Sequence, residues 1–209
     1  MKKILCVAAH SDDPIIGMGG TIKELAKIGH KIWVISVCSD RIKGFKEAIE
    51  TLGAIPLFFD FSYNNINEND LVEKLKIIFE KINPDVVFTH WYREILIDHE
   101  IVSQQVIKIA RKMDKEIFLF EIPASSLNFN FDVAIDITDS YEIRKKAIEI
   151  MKGAFDPKVY EEEILPSIIY PPGFRGIQVG CKFSEVFKRF GSRHPLAPER
   201  TKILDISKI

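Results

Sequence analysis

Residues 3–29 read KILCVAAHSDDPIIGMGGTIKELAKIG, and the order of features within them decides the fold. Residues 3–9 form a short continuous apolar run, the pattern of a strand buried on both faces. The polar turn His10-Ser11-Asp12-Asp13 stops it. Over residues 15–28, Ile15, Ile16, Ile22, Leu25, Ala26 and Ile28 fall near helical spacing, and Gly29 suits the C-terminal cap. A buried strand feeding directly into a helix is the first half of a parallel α/β unit.

The alternation repeats outward from this unit. Lys31 to Cys38 reads as a strand, 42–52 as a helix ended by Gly53, and Pro56 to Phe61 as a third strand. A helix follows from Asn69 to Ile82, stopped by Asn83-Pro84. Asp85 to His90 is a fourth strand, and a helix spans about 98–113. Glu116 to Ile122 and Val133 to Ile137 are further strands, and a helix over 139–151 closes the regular part. Short connections and strand–helix order predict a mostly parallel sheet with helices on both faces, a three-layer α/β sandwich with right-handed crossovers. Beyond it, Pro157, Pro166, Pro171 and Pro172 break any long helix, and residues 181–190 read as helical. No repeat or linker divides the chain, which reads as a single domain over 1–209.

Composition narrows the function classes. The 209 residues are 46% hydrophobic and 28% charged, enough apolar matter for a sizeable core, so disorder is excluded as the main state. Lys plus Arg (29) nearly balances Asp plus Glu (30), which argues against a dedicated nucleic-acid binder. Cys6, Cys38 and Cys181 are too scattered for a disulfide framework or a paired-cysteine metal site, pointing to a reducing compartment. The first apolar run is too short for a signal peptide, and no stretch approaches a membrane span. The expectation is a soluble cytoplasmic protein acting on a small molecule. Self-association is left open.

In parallel sheets ligands bind beyond the carboxyl ends of the strands. There the sequence places His10, Asp12 and Asp13 after the first strand, and His90 with the loop to Asp98 and His99 after the fourth. Imidazole and carboxylate suit zinc or a similar divalent ion, and a catalytic zinc needs three protein ligands and one open position. His10, Asp13 and His99 supply that set, with Asp12 beside the metal as a base. Asp98 would orient His99 through its second nitrogen. The plainer reading is that Asp12 or Asp13 caps the helix beginning near Pro14 and that His99 is an exposed first-turn residue. Gly17, Gly19 and Gly20 do not match a dinucleotide fingerprint and are better explained by close packing of helix on sheet.

These residues resemble the LmbE-like, PIG-L family of zinc-dependent N-acetyl-sugar deacetylases. Its A-H-P-D-D-E block and following G-x-G-G-T-I are similar to Ala9-His10-Ser11-Asp12-Asp13-Pro14 and Gly17-Met18-Gly19-Gly20-Thr21-Ile22. Its T-H-x-x-x-D-[IL]-x-x-D-H block is similar to Thr89 through His99, and R-x(10)-L-G to Arg41 with Leu52-Gly53. A late R-G-x-x-x-G-x-x-x-[AS]-E-x-F block is met by Arg175-Gly176, Gly180 and Ser184-Glu185-Val186-Phe187. The resemblance implies a Rossmann-like α/β domain, zinc held by His10, Asp13 and His99, Asp12 as general base, and release of acetate from an N-acetylglucosamine unit. Two departures stand out: Pro14 replaces the usual Glu, and Leu96 stands where many relatives carry a histidine that stabilises the tetrahedral intermediate. His90 is then the expected second oxyanion donor, Arg41 and Trp91 the expected substrate contacts, and Arg175 with Glu185 an expected structural pair. A metal-retaining sugar-binding protein with lost catalysis is the alternative.

Overall fold

The computed structural model describes residues 1–191 and the backbone of residues 202–203. Its elements are β1 (Lys3–Ala8), α1 (Asp13–Lys27), β2 (Lys31–Cys38), α2 (Phe45–Leu52), β3 (Ile55–Phe61), α3 (Glu68–Ile82), β4 (Val86–His90) and α4 (Ile97–Lys112). There follow β5 (Glu116–Phe120), β6 (Val133–Asp136), α5 (Tyr141–Ile150), α6 (Pro157–Val159), α7 (Leu165–Val179), β7 (Ser184–Arg189) and β8 (Lys202–Ile203). The strands form one sheet in the order β3-β2-β1-β4-β5-β7-β6-β8. From β3 to β5 every pairing is parallel. β7 then runs antiparallel to both β5 and β6. This is the expected mostly parallel α/β sandwich.

The pleat of β1 explains the layers. Ile4, Cys6 and Ala8 point into the core made with α1, α2 and α5, while Leu5, Val7 and Ala9 point toward α3 and α4. Both faces are covered, so the strand is apolar throughout. Helix α1 lies very close to the sheet. A Cβ on Gly20 would stand 2.7 Å from Cβ of Ile137, and one on Gly17 would overlap the Phe120 ring. Close packing thus accounts for these glycines.

Two expectations need correction. Residues 184–189 form a strand, not a helix, because β7 slots between β5 and β6 and is buried on both sides from Ser184 to Phe187. The prolines also do not end helical structure. It runs on from α6 through a π-helical turn, Tyr160–Ile164, into α7. Pro166 lies in the first turn of α7, directly after the π-helical turn. Pro171 and Pro172 lie within α7 itself. Among the described residues no helix is long and apolar enough to cross a membrane.

Candidate metal centre

Three segments meet beyond the carboxyl ends of β1 and β4: the turn His10–Asp13, His90 at the end of β4, and the first turn of α4 with Asp98 and His99. His10, Asp13 and His99 are all buried. His10 Nδ1 lies 3.1 Å from His99 Nε2 and 3.4 Å from Asp13 Oδ2, and His99 Nε2 lies 3.3 Å from the same Asp13 oxygen. Ligands at zinc's usual bond length of roughly 2.0–2.1 Å in a tetrahedron stand about 3.3–3.4 Å apart. The triangle therefore has the size, and the nitrogen–oxygen chemistry, of three vertices around such a cation.

The surroundings fix the ligand atoms. The Asp13 Oδ2 atom also accepts the backbone N–H of His10 at 2.7 Å. His10 Nε2 contacts Asp98 Oδ2 at 3.1 Å, and that oxygen accepts the Asn64 N–H at 2.8 Å. Nδ1 of His10 is thereby left facing the triangle. Asp98 thus orients His10 rather than His99, as the sequence suggested. Asp98 and His99, adjacent on α4, both meet the ring of His10, one at Nε2 and the other at Nδ1. The carboxylate behind His99 is Glu94, 3.4 Å from its Nδ1 and shielded from solvent. The Ser125 hydroxyl donates to Glu94 at 2.5 Å, and the Ser126 hydroxyl donates to its other oxygen. Glu94, Ser125 and Ser126 escaped the sequence reading. The only signal was position, in loops leaving neighbouring strands at the carboxyl edge.

Burial would raise the Asp13 carboxyl, but His99, His90 and His10 outweigh it and hold the group well below the usual carboxylate range. Burial would likewise lower His10, but Asp13 and Asp98 more than offset this, and the metal-free ring keeps a proton tightly. Asp12 is pushed up to about 6 by burial and then by the charge of Asp13, against the pull of His10 and Arg41. It stands at the N-cap position of α1 with no side-chain capping bond, and its Oδ1 is buried without a hydrogen-bond partner among the described residues. Neither it nor the buried His99 fits the plainer cap-and-surface reading.

The other expected residues divide. His90 is fully buried between the rings of His99 and Phe120, centroids 4.0 and 4.7 Å away, and its Nε2 accepts the Ala9 N–H at 2.9 Å. Burial, then the nearby His99 charge, holds it down to about 4. It props the centre from beneath and offers no open face to an oxyanion. Trp91 is also not a sugar wall. It is 3% exposed and packed into the α3–α4 core, with Phe129 set edge-on at 5.2 Å. Arg41 does lie at the mouth, its guanidinium 5.6 Å from the ring centres of both Tyr63 and Phe155. Tyr63 in turn stacks on His10 at 4.3 Å. Arg175 and Glu185 do not pair. Arg175 forks onto Glu121 at 2.6 and 2.8 Å, and Glu185 meets Arg144 at 2.9 Å. Beyond Ser126 lies a cavity of about 450 Å³ lined by Phe129, Tyr170, Phe174, Glu121 and Arg175.

The profile of the family PIG-L: GlcNAc-PI de-N-acetylase matches residues 5–110. Among solved structures, the chain is similar to GalB, the 4-carboxy-2-hydroxymuconate hydratase from Pseudomonas putida KT2440. That match has 18% identity and a TM-score of 0.78, and it covers 95% of this chain and 100% of that one. It is also similar to N,N'-diacetylchitobiose deacetylase from Pyrococcus horikoshii, with 22% identity, a TM-score of 0.76, and coverage of 94% and 88%. The A40926 pseudoaglycone deacetylase Dbv21 matches at 15% identity and a TM-score of 0.74, covering 92% and 99%. At these identities the likenesses establish the shared fold. No curated protein sequence matches significantly.

Proposed function

The chain belongs to the PIG-L family of GlcNAc-PI de-N-acetylases, and we propose on that footing that it is a zinc-dependent hydrolase removing the acetyl group from the nitrogen of a GlcNAc-containing sugar or sugar conjugate. The observation that carries this reading is the triangle of His10, Asp13 and His99 with the partnerless carboxylate oxygen of Asp12 beside it. The triangle would hold the cation, and other divalent ions suit the same donors. When bound there, zinc supplies a water of pKa near about 7 and polarises a carbonyl oxygen.

The chain's own groups do the rest. Asp12 accepts the proton of the attacking water and returns it to the departing nitrogen, so the leaving group departs as an amine. Its buried site favours this exchange, since a carboxyl raised to about 6 both takes and yields a proton near neutrality. Asp98 and Glu94 hold the rings of His10 and His99 so that one nitrogen of each faces the triangle. Arg41, clamped between Tyr63 and Phe155, is the substrate contact, replacing the donor that Leu96 cannot supply. The three free thiols agree with a cytoplasmic setting.

The test is acetate release from a panel of N-acetyl sugars and conjugates by zinc-loaded protein. Release from at least one GlcNAc-containing compound is expected. The absence of acetate from all of them, alongside intact metal binding, would reject the reading.

A further inference from the structure

Helix α1 is broken at Met18, whose φ of −155° and ψ of 23° are not helical. In an unbroken α-helix the Gly20 N–H would bond to the Ile16 carbonyl, four residues back. Here a buried ion pair from elsewhere in the chain takes both groups. Arg144, on α5, donates to the Ile15 carbonyl at 3.1 Å and to the Ile16 carbonyl at 2.6 Å. Glu185, on β7, accepts the Gly20 N–H at 2.9 Å and the Thr21 N–H at 2.7 Å. The two side chains meet at 2.9 Å and are 1% and 3% exposed. The third arm of Arg144 reaches the Ile168 carbonyl on α7 at 2.7 Å. Arg144 therefore caps the end of one helical stump and Glu185 caps the start of the next.

The first stump is the one that carries the site. Its N–H groups of Ile15 and Ile16 both bond to the Asp12 carbonyl at 3.0 Å, so the carbonyls held by Arg144 lie one turn from Asp12 and Asp13. A buried ion pair is a poor source of net stability, because desolvation cancels most of its attraction. Stability is therefore a weak reason to place one here.

We propose that the Arg144–Glu185 pair is a positioning device for the metal centre, setting the tilt of residues 13–17 so that Asp13 closes the triangle with His10 and His99. This rests on the reading of those three residues as cation ligands. Four measurements test it on Glu185→Gln, Arg144→Met and the double variant Arg144→Met/Glu185→Met. They are zinc affinity by competition with a chromogenic chelator, the visible spectrum of the cobalt-loaded protein, the melting temperature of metal-free protein, and amide exchange over residues 13–17 without metal. Folded variants should lose about tenfold or more in zinc affinity, show an altered cobalt spectrum, and exchange faster over 13–17. The double variant leaves no charge unpaired but orphans the backbone groups that the pair caps, so it should fold with a lowered melting temperature. Wild-type affinity and spectrum in the folded variants would overturn the proposal even if they melt lower. So would failure of all three to fold, since the pair would then serve the whole structure. Wild type that binds no zinc would instead sink the ligand assignment, a result the exchange measurement does not depend on.

Discussion

Nδ1 of His10 and Nε2 of His99, from opposite halves of the parallel sheet's switch point, stand 3.1 Å apart with Asp13 Oδ2 completing the triangle at 3.4 and 3.3 Å. Two ring nitrogens and a carboxylate at that spacing predict one divalent cation per chain. Wild type should retain about one zinc equivalent after dialysis and gain stability from it, about 2.7 kcal/mol at a hundredfold excess over Kd. His99→Ala should show neither. Elemental analysis and thermal melts with and without zinc check both.

Binding must displace a proton. His10 holds its proton above the neutral range because Asp13 and Asp98 outweigh its burial, and zinc needs the bare Nδ1. Near pH 7, about one proton should leave per zinc bound. Affinity should then strengthen as pH rises, by about tenfold per unit. Calorimetry in buffers of different ionisation heat measures the release. Zero protons would contradict the charge state assigned to His10.

Asp12→Asn should keep the metal and lower kcat by about 10²- to 10⁴-fold. In the wild type the base works only when ionised, and burial with the Asp13 charge raises its pKa to about 6. Activity should fall as pH drops through that value. The bound cation favours the carboxylate, which moves the limb lower still. A kcat/KM profile with an acid limb above about pH 7 would exclude Asp12 from the role.

Ser125→Ala/Ser126→Ala removes both hydroxyls from Glu94, and with Ser125 a hydroxyl 3.4 Å from Nδ1 of His99, while leaving His10, Asp13 and His99 themselves in place. Zinc affinity should weaken by about 10- to 100-fold, the usual effect of losing groups that orient ligating histidines. Chelator competition is the readout.

Gly20→Ala sets helix propensity against packing. Alanine gains up to about 1 kcal/mol of helix preference. Its Cβ would stand 2.7 Å from Cβ of Ile137, an atom that no rotamer change can move aside. Overpacking of this kind costs about 1–3 kcal/mol, so the variant should be destabilised by up to about 2 kcal/mol net in urea titration.

The parallel half of the fold is legible because its strands are buried on both faces and so are written as continuous apolar runs, as in Leu5–Ala9 and Val86–Phe88. β7 is not, because its second residue is a glutamate. Glu185 is tolerable inside a sheet only through Arg144 and two N–H groups of α1, partners that no local pattern displays. The site follows the same division. His10, Asp13 and His99 stand at strand-end turns where parallel sheets gather ligands, and position alone nominates them. Glu94 has meaning only once the loop after β5 delivers Ser125 and Ser126 to it, and Tyr63 only once the loop after β3 lays it on His10.

The late insertion of β7 between β5 and β6 has a consequence for how the molecule comes into being. Until residues 184–189 emerge from the ribosome, both of those strands carry an unpaired edge, open to wrong partners. Glu185 travels on that same segment. A nascent chain halted before it could assemble the parallel strands and still lack the clasp on the helix that bears Asp13, so competence to bind metal would wait for residues 184–189.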